Sequence, residues 1–227
     1  MDTELAPAME PSEVAAISAD LGFRASDLVQ SNAVVWVEGP SDRIYVRFWL
    51  NEMDPHLVEG VHYTLMFYGG ALLRHLSPDD PAVKEFISLP RINRNFAVVI
   101  DSDRSSRSAP LNATKARVRK AIEESGSRPS VWITSGYTIE NYVPRGLLAA
   151  AVERVHPSAH LHWDADRYTN PFGCEQLGGR SSPADKTAVA QAVVESWAPE
   201  TPWLLDLKKQ IAALAALLRR ANDLSPT

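Results

Sequence analysis

Two pairs of carboxylates carry the clearest chemical signal in this sequence. The first pair, Glu38 and Asp42, follows an apolar run typical of a buried β-strand. The second pair, Asp101 and Asp103, follows another such run. In an open parallel sheet the carboxyl ends of the strands face one crevice, so the four side chains are expected to converge. Like charges ~4 Å apart repel by about 4 kcal/mol at an effective dielectric of about 20, which favours a bound cation. Because carboxylate oxygens suit Mg²⁺ and Mn²⁺, the sequence predicts a divalent-metal site.

The spacing within each pair leaves simpler roles open. Asp42 falls in the first turn of a predicted helix, where the helix dipole also stabilises an acid that does no more than cap the helix. Glu38 ends an apolar run, where a carboxylate requires a partner. In Asp101-Ser102-Asp103, an extended backbone would aim both carboxylates to one side, where they could hold one or two ions. Solvated turns, and phosphatases that form an aspartyl phosphate, carry similar Asp-x-Asp pairs.

Alternating β-like and helical segments predict the fold that positions these acids. The predicted strands cover residues 33–37, 63–68, 96–100 and 130–134. Helical patterns are found at residues 12–21, 41–50, 71–75, 114–124, 145–155, 183–197 and 202–221. Strands that alternate with helices are typical of a parallel α/β sheet with right-handed crossovers. The last helix carries an apolar stripe, which indicates core packing or an oligomer seam. The stripe consists of Leu204, Leu207, Ile211, Leu214 and Leu218.

Composition limits the classes to which the protein can belong. Its 227 residues suffice for one main domain, and 45% hydrophobic with 22% charged residues is ordinary for a globular protein. The formal charge is −5, so the chain lacks the basic excess of a protein that coats nucleic acid. An acidic metal site would itself lower the net charge, so a nucleic-acid enzyme is not excluded. Cys174 is the only cysteine, which excludes an intrachain disulfide and a zinc cage of thiolates. Since no signal peptide or membrane-spanning run is seen, a cytoplasmic location without membrane contact is expected.

Four short motifs occur in a characteristic order along the chain. They are WVEGPSDR at residues 36–43, FYGG at 67–70, IDSDR at 100–104 and IENY at 139–142. Together they resemble the TOPRIM nuclease region of the OLD (overcoming lysogenization defect) family. The resemblance extends from about residue 12 to about residue 190. It implies a Rossmann-like TOPRIM fold, which is a parallel sheet of about four strands flanked by helices, here with a helical C-terminal extension.

The resemblance also implies metal-dependent cleavage of DNA by a two-metal mechanism, in which metal-activated water attacks the phosphodiester. The family's ligand positions fall on Glu38, Asp42, Asp101, Asp103 and Glu140. Ser102 is expected to orient a ligand or a water at the ions. Lys186 resembles the family's lysine near the scissile phosphate, with a solvated lysine on a helix face as an equal alternative. Two ions of Mg²⁺ or Mn²⁺ are expected as cofactors, with Ca²⁺ as a further candidate occupant.

The chain departs from the family pattern in two ways. The family usually reads Arg-Glu-Ile-Glu-Asn-Tyr where this chain has Tyr137 and Thr138 before residues 139–142, so one arginine and one acid are missing. If the missing acid is a ligand, the second ion is held weakly and activity is reduced; if it only supports a ligand, little changes. The Walker A loop of full-length OLD proteins is also absent, so the chain is expected to be the nuclease part of a larger enzyme, with a standalone protein as the alternative. The predicted divisions are a tail and lead-in helix at residues 1–31, a catalytic core at 32–144 and a helical extension at 145–227, which carries Lys186.

The function that the resemblance implies is cleavage of DNA in phage defence or DNA processing, with RNA left open as a substrate. An upstream ATPase domain, a helicase partner and a homodimer are the associations considered. Two rival functions remain open. A phosphatase with Asp101 as its nucleophile would depend on Asp101 and would be indifferent to Glu38. A regulatory or dimerisation module would bind metal without nicking DNA.

Overall fold

A parallel sheet of four strands lies at the centre of the fold. The computed structural model describes residues 32–88, 93, 95–124, 130–173, 177 and 184–225, so the helix predicted at residues 12–21 lies outside the described residues. The strands are β1 (Val34–Val37), β2 (Thr64–Phe67), β3 (Phe96–Ile100) and β4 (Ser130–Ile133). They lie in the order β2-β1-β3-β4, and all neighbouring pairs are parallel. Because β1 and β3 are neighbours, the acids that follow them lie at the same end of the sheet.

Seven α-helices and one 3₁₀ turn accompany the strands in the described residues. The helices are α1 (Pro40–Met53), α2 (Gly70–Arg74), α3 (Pro81–Ser88), α4 (Ala113–Glu123), α5 (Arg145–Val155), α6 (Lys186–Glu195) and α7 (Leu207–Ala221). The 3₁₀ turn spans Ile139–Tyr142 and follows β4. The predicted α/β class with a parallel sheet and flanking helices is confirmed, and it is consistent with a Rossmann-like, TOPRIM-type fold.

Helix α3 was not predicted from the sequence. Its first residue, Pro81, ends a segment rich in proline and aspartate that is typical of a loop. In the structure, Pro81 opens the helix, and the Asp80 carboxylate accepts a hydrogen bond from the Ala82 N–H at 2.9 Å. The residues that indicated a break therefore act as the start signal of a short helix.

Both faces of the sheet are covered by helices, which explains why β1 and β3 are buried throughout. Side chains of β1 alternate between the two sides. Val35 and Val37 join a core formed with α1, α5, α6 and α7. Val34 and Trp36 join a second core, formed with α2, α3 and α4. The C-terminal helices therefore contribute to the same core as α1.

Helix α7 uses its apolar stripe for core packing. The helix begins at Leu207, so the predicted start at residue 202 is wrong and Leu204 precedes the helix. The remaining stripe residues, Leu207, Ile211, Leu214 and Leu218, are all buried in the core shared with α1. They are therefore unavailable for an oligomer seam. Within the described ranges, none of the helices has the length and apolar character needed to cross a membrane.

Candidate metal centre

The turn from β1 into α1 brings Glu38 and Asp42 to the carboxyl end of the sheet. Gly39 is the N-cap of α1, and Pro40 opens the helix with a fixed φ that suits its first turn. The Oδ2 atom of Asp42 accepts a hydrogen bond from the Gly39 N–H at 2.8 Å. This bond uses only one of the two carboxylate oxygens, so the capping role and a ligand role of Asp42 are compatible.

Asp101 is fixed where three elements meet. It follows β3 and is 6% exposed. Its Oδ1 atom accepts from the Ile139 N–H at 2.8 Å, at the start of the 3₁₀ turn. Its backbone carbonyl accepts from Nζ of Lys115 on α4 at 2.7 Å. The carboxylate therefore belongs to a rigid part of the fold and has an oxygen beyond the one that is bonded to the backbone.

Ser102 ties the loop after β3 to the loop after β4. Its N–H donates to the Thr134 hydroxyl at 2.8 Å, and its own hydroxyl donates to the Gly136 carbonyl at 2.6 Å. The same hydroxyl accepts from the Arg104 N–H at 3.2 Å. These bonds give Ser102 a loop-fixing role, while its orientation of a ligand or water stays a prediction.

Asp103 turns toward two cations. Its φ of 49° lies in the left-handed region, so the extended backbone expected at this residue is wrong. The Asp103 N–H donates to the Tyr137 carbonyl at 2.9 Å, which holds this conformation. The Asp103 carboxylate pairs with Nη2 of Arg74 at 3.1 Å and with Nζ of Lys115, whose side chain is 1% exposed. Among the described residues, Asp103 therefore contacts two protein cations, whereas Glu38 and Glu140 each contact one, at longer distances.

Glu140 is the acid with the least support from its surroundings. It lies in the 3₁₀ turn and is 1% exposed. Neither of its carboxylate oxygens has a hydrogen-bond partner among the described residues. The nearest cation is Nζ of Lys186, at 3.4 Å from Oε1. Because a buried polar atom without a hydrogen bond costs free energy, both oxygens are suited to a ligand that the protein itself does not supply.

Lys186 approaches the site from the first turn of α6. The helix begins at this residue, and the Asp185 carboxylate caps it by accepting from the Ala188 N–H at 2.9 Å. The predicted start at residue 183 lies outside the described residues. The Lys186 ammonium lies 5.5 Å from the centre of the Phe172 ring. Its side chain is 40% exposed, and the charge of Glu140 is the main cause that raises its pKa. Lys186 is therefore placed at the acids and remains accessible to a substrate.

Neighbouring carboxylates help to raise the pKa values of Asp42 and Asp101. Burial, then the charges of Glu140 and Glu38, raise the pKa of Asp42 to about 7. Burial also raises the pKa of Asp101 well above its ordinary value, and the other three carboxylates add to this shift. Lys186 opposes both shifts. The protein alone thus does not balance the negative charge gathered here, whereas a divalent ion would lower both pKa values.

The side chains fit a hard divalent cation by their chemistry. Their donors are carboxylate oxygens, which Mg²⁺ and Mn²⁺ prefer. No three His, Cys, Asp or Glu side chains in the described part of the chain are gathered so that they could hold one ion together. Ion binding therefore requires rotation of carboxylates that already lie within electrostatic reach of one another.

Sequence reasoning missed three residues that surround these acids. Arg74 and Lys115 pair with Asp103, and the buried Tyr45 hydroxyl has no hydrogen-bond partner among the described residues. Burial and the charges of Glu140 and of Asp42 raise the pKa of Tyr45. The position of Lys115 had a sequence signal, since it shares the apolar face of α4 at helical spacing. The position of Arg74 had no signal in the sequence, because its contacts depend on the tertiary structure.

The structure also has a cavity of about 760 Å³ away from these acids. It lies beside α1 and the segment that leads into β2. Its Arg43 and Arg47 both face Glu59, with nitrogen-to-oxygen distances of 2.9 and 4.0 Å, so part of their charge is neutralised. None of the predicted site residues lines it. The chemistry of the carboxylates therefore does not extend into this cavity.

No protein-family model, curated protein or solved structure matches the chain. The resemblance to the OLD family thus rests on the four motifs and stays a prediction.

The raised pKa of Asp42 predicts that the metal-free protein loses stability as the pH rises. Between the ordinary pKa of 3.8 and the folded value of about 7, the folded chain holds a proton that the unfolded chain has lost. The free energy of unfolding in EDTA therefore falls across this window, by at most about 4 kcal/mol from this group. Urea unfolding at pH 5 and pH 8 measures this loss. Asp42→Asn should reduce this loss of unfolding free energy. The control variant Asp79→Asn, at a side chain that is 85% exposed, should leave the loss unchanged. Equal losses in wild type and Asp42→Asn would contradict the assignment.

Gly70 provides a test of the position of Glu38. A Cβ atom at residue 70 would lie 2.5 Å from the Oε1 atom of Glu38. We expect Gly70→Ala to displace this carboxylate and to weaken Mn²⁺ binding by about tenfold, as measured by calorimetric titration. Gly146→Ala is the matched control, because a Cβ there meets no described atom within 4 Å and alanine favours helix α5 by up to about 1 kcal/mol. Unchanged Mn²⁺ affinity in Gly70→Ala would show that metal binding does not depend on this position of the Glu38 carboxylate.

Proposed function

We propose that this chain is a divalent-metal-dependent endonuclease that hydrolyses phosphodiester bonds in DNA. The observation that carries the proposal is the pair of buried Glu140 oxygens, which lack hydrogen-bond partners among the described residues and lie beside Lys186. Asp42 and Asp101 raise the local negative charge further. A carboxylate cluster of this kind can bind a divalent cation, and that cation can in turn bind a phosphate.

The residues proposed to hold Mg²⁺ or Mn²⁺ are Glu38, Asp42, Asp101 and Glu140. Such an ion would neutralise phosphate charge and lower the pKa of a bound water. The chain's own part is to fix the ligands. The backbone N–H groups of Gly39 and Ile139 hold one oxygen each of Asp42 and Asp101, so the second oxygens can turn to an ion.

Lys186 supplies the positive charge on the substrate side of the site. Its side chain is 40% exposed, whereas Glu140 beneath it is 1% exposed. An ammonium in this position attracts a phosphodiester and offsets the negative charge that develops on the phosphate oxygens during hydrolysis. Its contact with Glu140 keeps it at the acids before substrate arrives.

The geometry gives little support to a phosphatase with Asp101 as its nucleophile. Asp101 is 6% exposed, and one oxygen is bonded to the Ile139 N–H. The carboxylate is thus mostly shielded from a substrate, as a nucleophile is not, which favours the ligand role.

The altered segment before Glu140 bears on how strongly a second ion is held. Thr138 is fully buried, and its N–H donates to Oδ1 of Asn141 at 2.7 Å. Where the family usually has an acid, this chain thus has a neutral residue, which is the N-cap of the 3₁₀ turn. We include a weakly held second ion in the proposal.

The proposal has four further parts. They are an upstream ATPase domain, a helicase partner, action on DNA rather than RNA, and a role in phage defence or DNA processing.

Nicking of supercoiled plasmid with Mg²⁺, Mn²⁺ or EDTA tests the proposal. We expect cleavage with either ion and none in EDTA. Glu38→Ala and Asp101→Ala should each lower the rate by about 100-fold or more, because each removes a ligand. Glu153→Ala, at an exposed glutamate of α5, should retain the wild-type rate.

Three outcomes would contradict the endonuclease proposal. Metal binding without nicking would favour the regulatory module. Turnover of small phosphoesters that depends on Asp101 and ignores Glu38 would favour the phosphatase. Cleavage that persists in EDTA would exclude a metal-dependent reaction.

A further inference from the structure

Among the described residues, Arg74, Lys115 and Lys186 form ion pairs with carboxylates of the site, and these three cations differ in how firmly they are held. Lys115 is 1% exposed and bonds to the backbone carbonyl of Asp101 as well as to Asp103. Lys115 is therefore a fixed part of the structure around the acids. Arg74 and Lys186 are each 40% exposed, so both can change partners without unfolding the chain.

Arg74 spans two acids with one guanidinium group. Nε lies 3.3 Å from Oδ2 of Asp103, and Nη2 lies 3.1 Å from Oδ1 of the same carboxylate. This two-point contact fixes the plane of the guanidinium. The contact to Glu38 is longer, with Nη2 at 3.6 Å from Oε1, which exceeds hydrogen-bond distance. The contact to Glu38 is therefore the weaker of the two.

A divalent ion at Glu38 would compete with Arg74 for the same carboxylate. Two positive charges on the ion outweigh the single charge of the guanidinium, and the ion and Arg74 repel each other at close range. The two-point contact with Asp103 would nevertheless keep Arg74 at the edge of the site. Asp103 is itself held by Lys115, so the arginine would be released from Glu38 without being lost from the site.

We propose that Arg74 is the resident counter-cation of the acidic site and becomes a phosphate-binding residue when a divalent ion takes its place at Glu38. This inference rests on the proposed function and assigns a substrate contact within the same site. A guanidinium carries five N–H donors, so while Nε and Nη2 hold Asp103, the remaining N–H groups of this exposed arginine can bind the oxygens of a phosphodiester. Asp103 acts as the positioning residue for Arg74.

The first test is the Mn²⁺ affinity of the full chain without DNA, measured by calorimetric titration. Arg74→Gln removes the competing charge and should lower the Kd for Mn²⁺ by about fivefold, the scale of one exposed ion pair. Arg74→Lys keeps the charge and should stay within about twofold of wild type. Arg154→Gln, which removes the exposed arginine that pairs with Glu195, should also leave the affinity unchanged.

The second test is the salt dependence of binding to a fluorescein-labelled DNA duplex in Ca²⁺. Loss of one phosphate contact in Arg74→Gln should weaken binding and lower the slope of log K against log salt concentration by about one. Arg74→Lys and Arg154→Gln should keep the wild-type slope. Neither the Mn²⁺ affinity nor the salt slope depends on cleavage. Substitution of a residue with a merely structural role would neither raise the Mn²⁺ affinity nor lower the salt slope.

The outcomes separate this inference from the proposed function. Tighter Mn²⁺ binding together with a shallower slope in Arg74→Gln supports the inference. Three results overturn the inference while wild type still binds Mn²⁺ and DNA. They are unchanged or weaker Mn²⁺ binding in Arg74→Gln, an unchanged salt slope in Arg74→Gln, and an equal gain in Mn²⁺ affinity in Arg74→Lys. Failure of wild type to bind Mn²⁺ overturns the proposed function, and this inference with it.

Discussion

The buried carboxylate of Glu140 is the constraint on which the account depends. A carboxylate that is 1% exposed and receives no hydrogen bond from the described residues is costly unless a cation or a proton compensates it. Lys186 at 3.4 Å supplies one charge, but Asp42 and Asp101 lie close enough to raise the pKa of the same lysine. The negative charge at this end of the sheet thus exceeds what the protein cations placed there balance, and this imbalance favours a bound divalent ion.

The rest of the fold supplies the rigidity that such a cluster needs. Because β1 and β3 are neighbours buried on both faces, the segments that follow them cannot move apart without opening the core. Backbone N–H groups hold Asp42 and Asp101, and the buried Lys115 joins Asp101 to Asp103. The site can therefore concentrate like charges because hydrogen bonds and hydrophobic packing oppose their repulsion.

Sequence patterns predicted the parts of this structure that depend on local periodicity or on the geometry of parallel sheets. Strand β3 and helix α5 have the predicted bounds, and the acids after β1 and β3 lie at one end of the sheet as expected. Features that depend on tertiary contacts were missed. The left-handed backbone at Asp103 depends on a bond to Tyr137, and the pairing of Arg74 joins residues 29 positions apart. Helix α3 was missed because its capping residues also occur in loops.

Titration of the full chain with Mn²⁺, in wild type and Glu140→Gln, tests the central claim most directly. The account predicts that wild type binds Mn²⁺ and that Glu140→Gln lowers the affinity by at least about tenfold. In EDTA the variant should be more stable than wild type, because the amide removes one of the mutually repelling charges, while the Lys186 ammonium, 40% exposed, keeps its contact with solvent. Glu153→Gln, at an exposed glutamate of α5, should match wild type in both measurements. Equal Mn²⁺ affinity in wild type and Glu140→Gln, or no Mn²⁺ binding by wild type, would contradict the account.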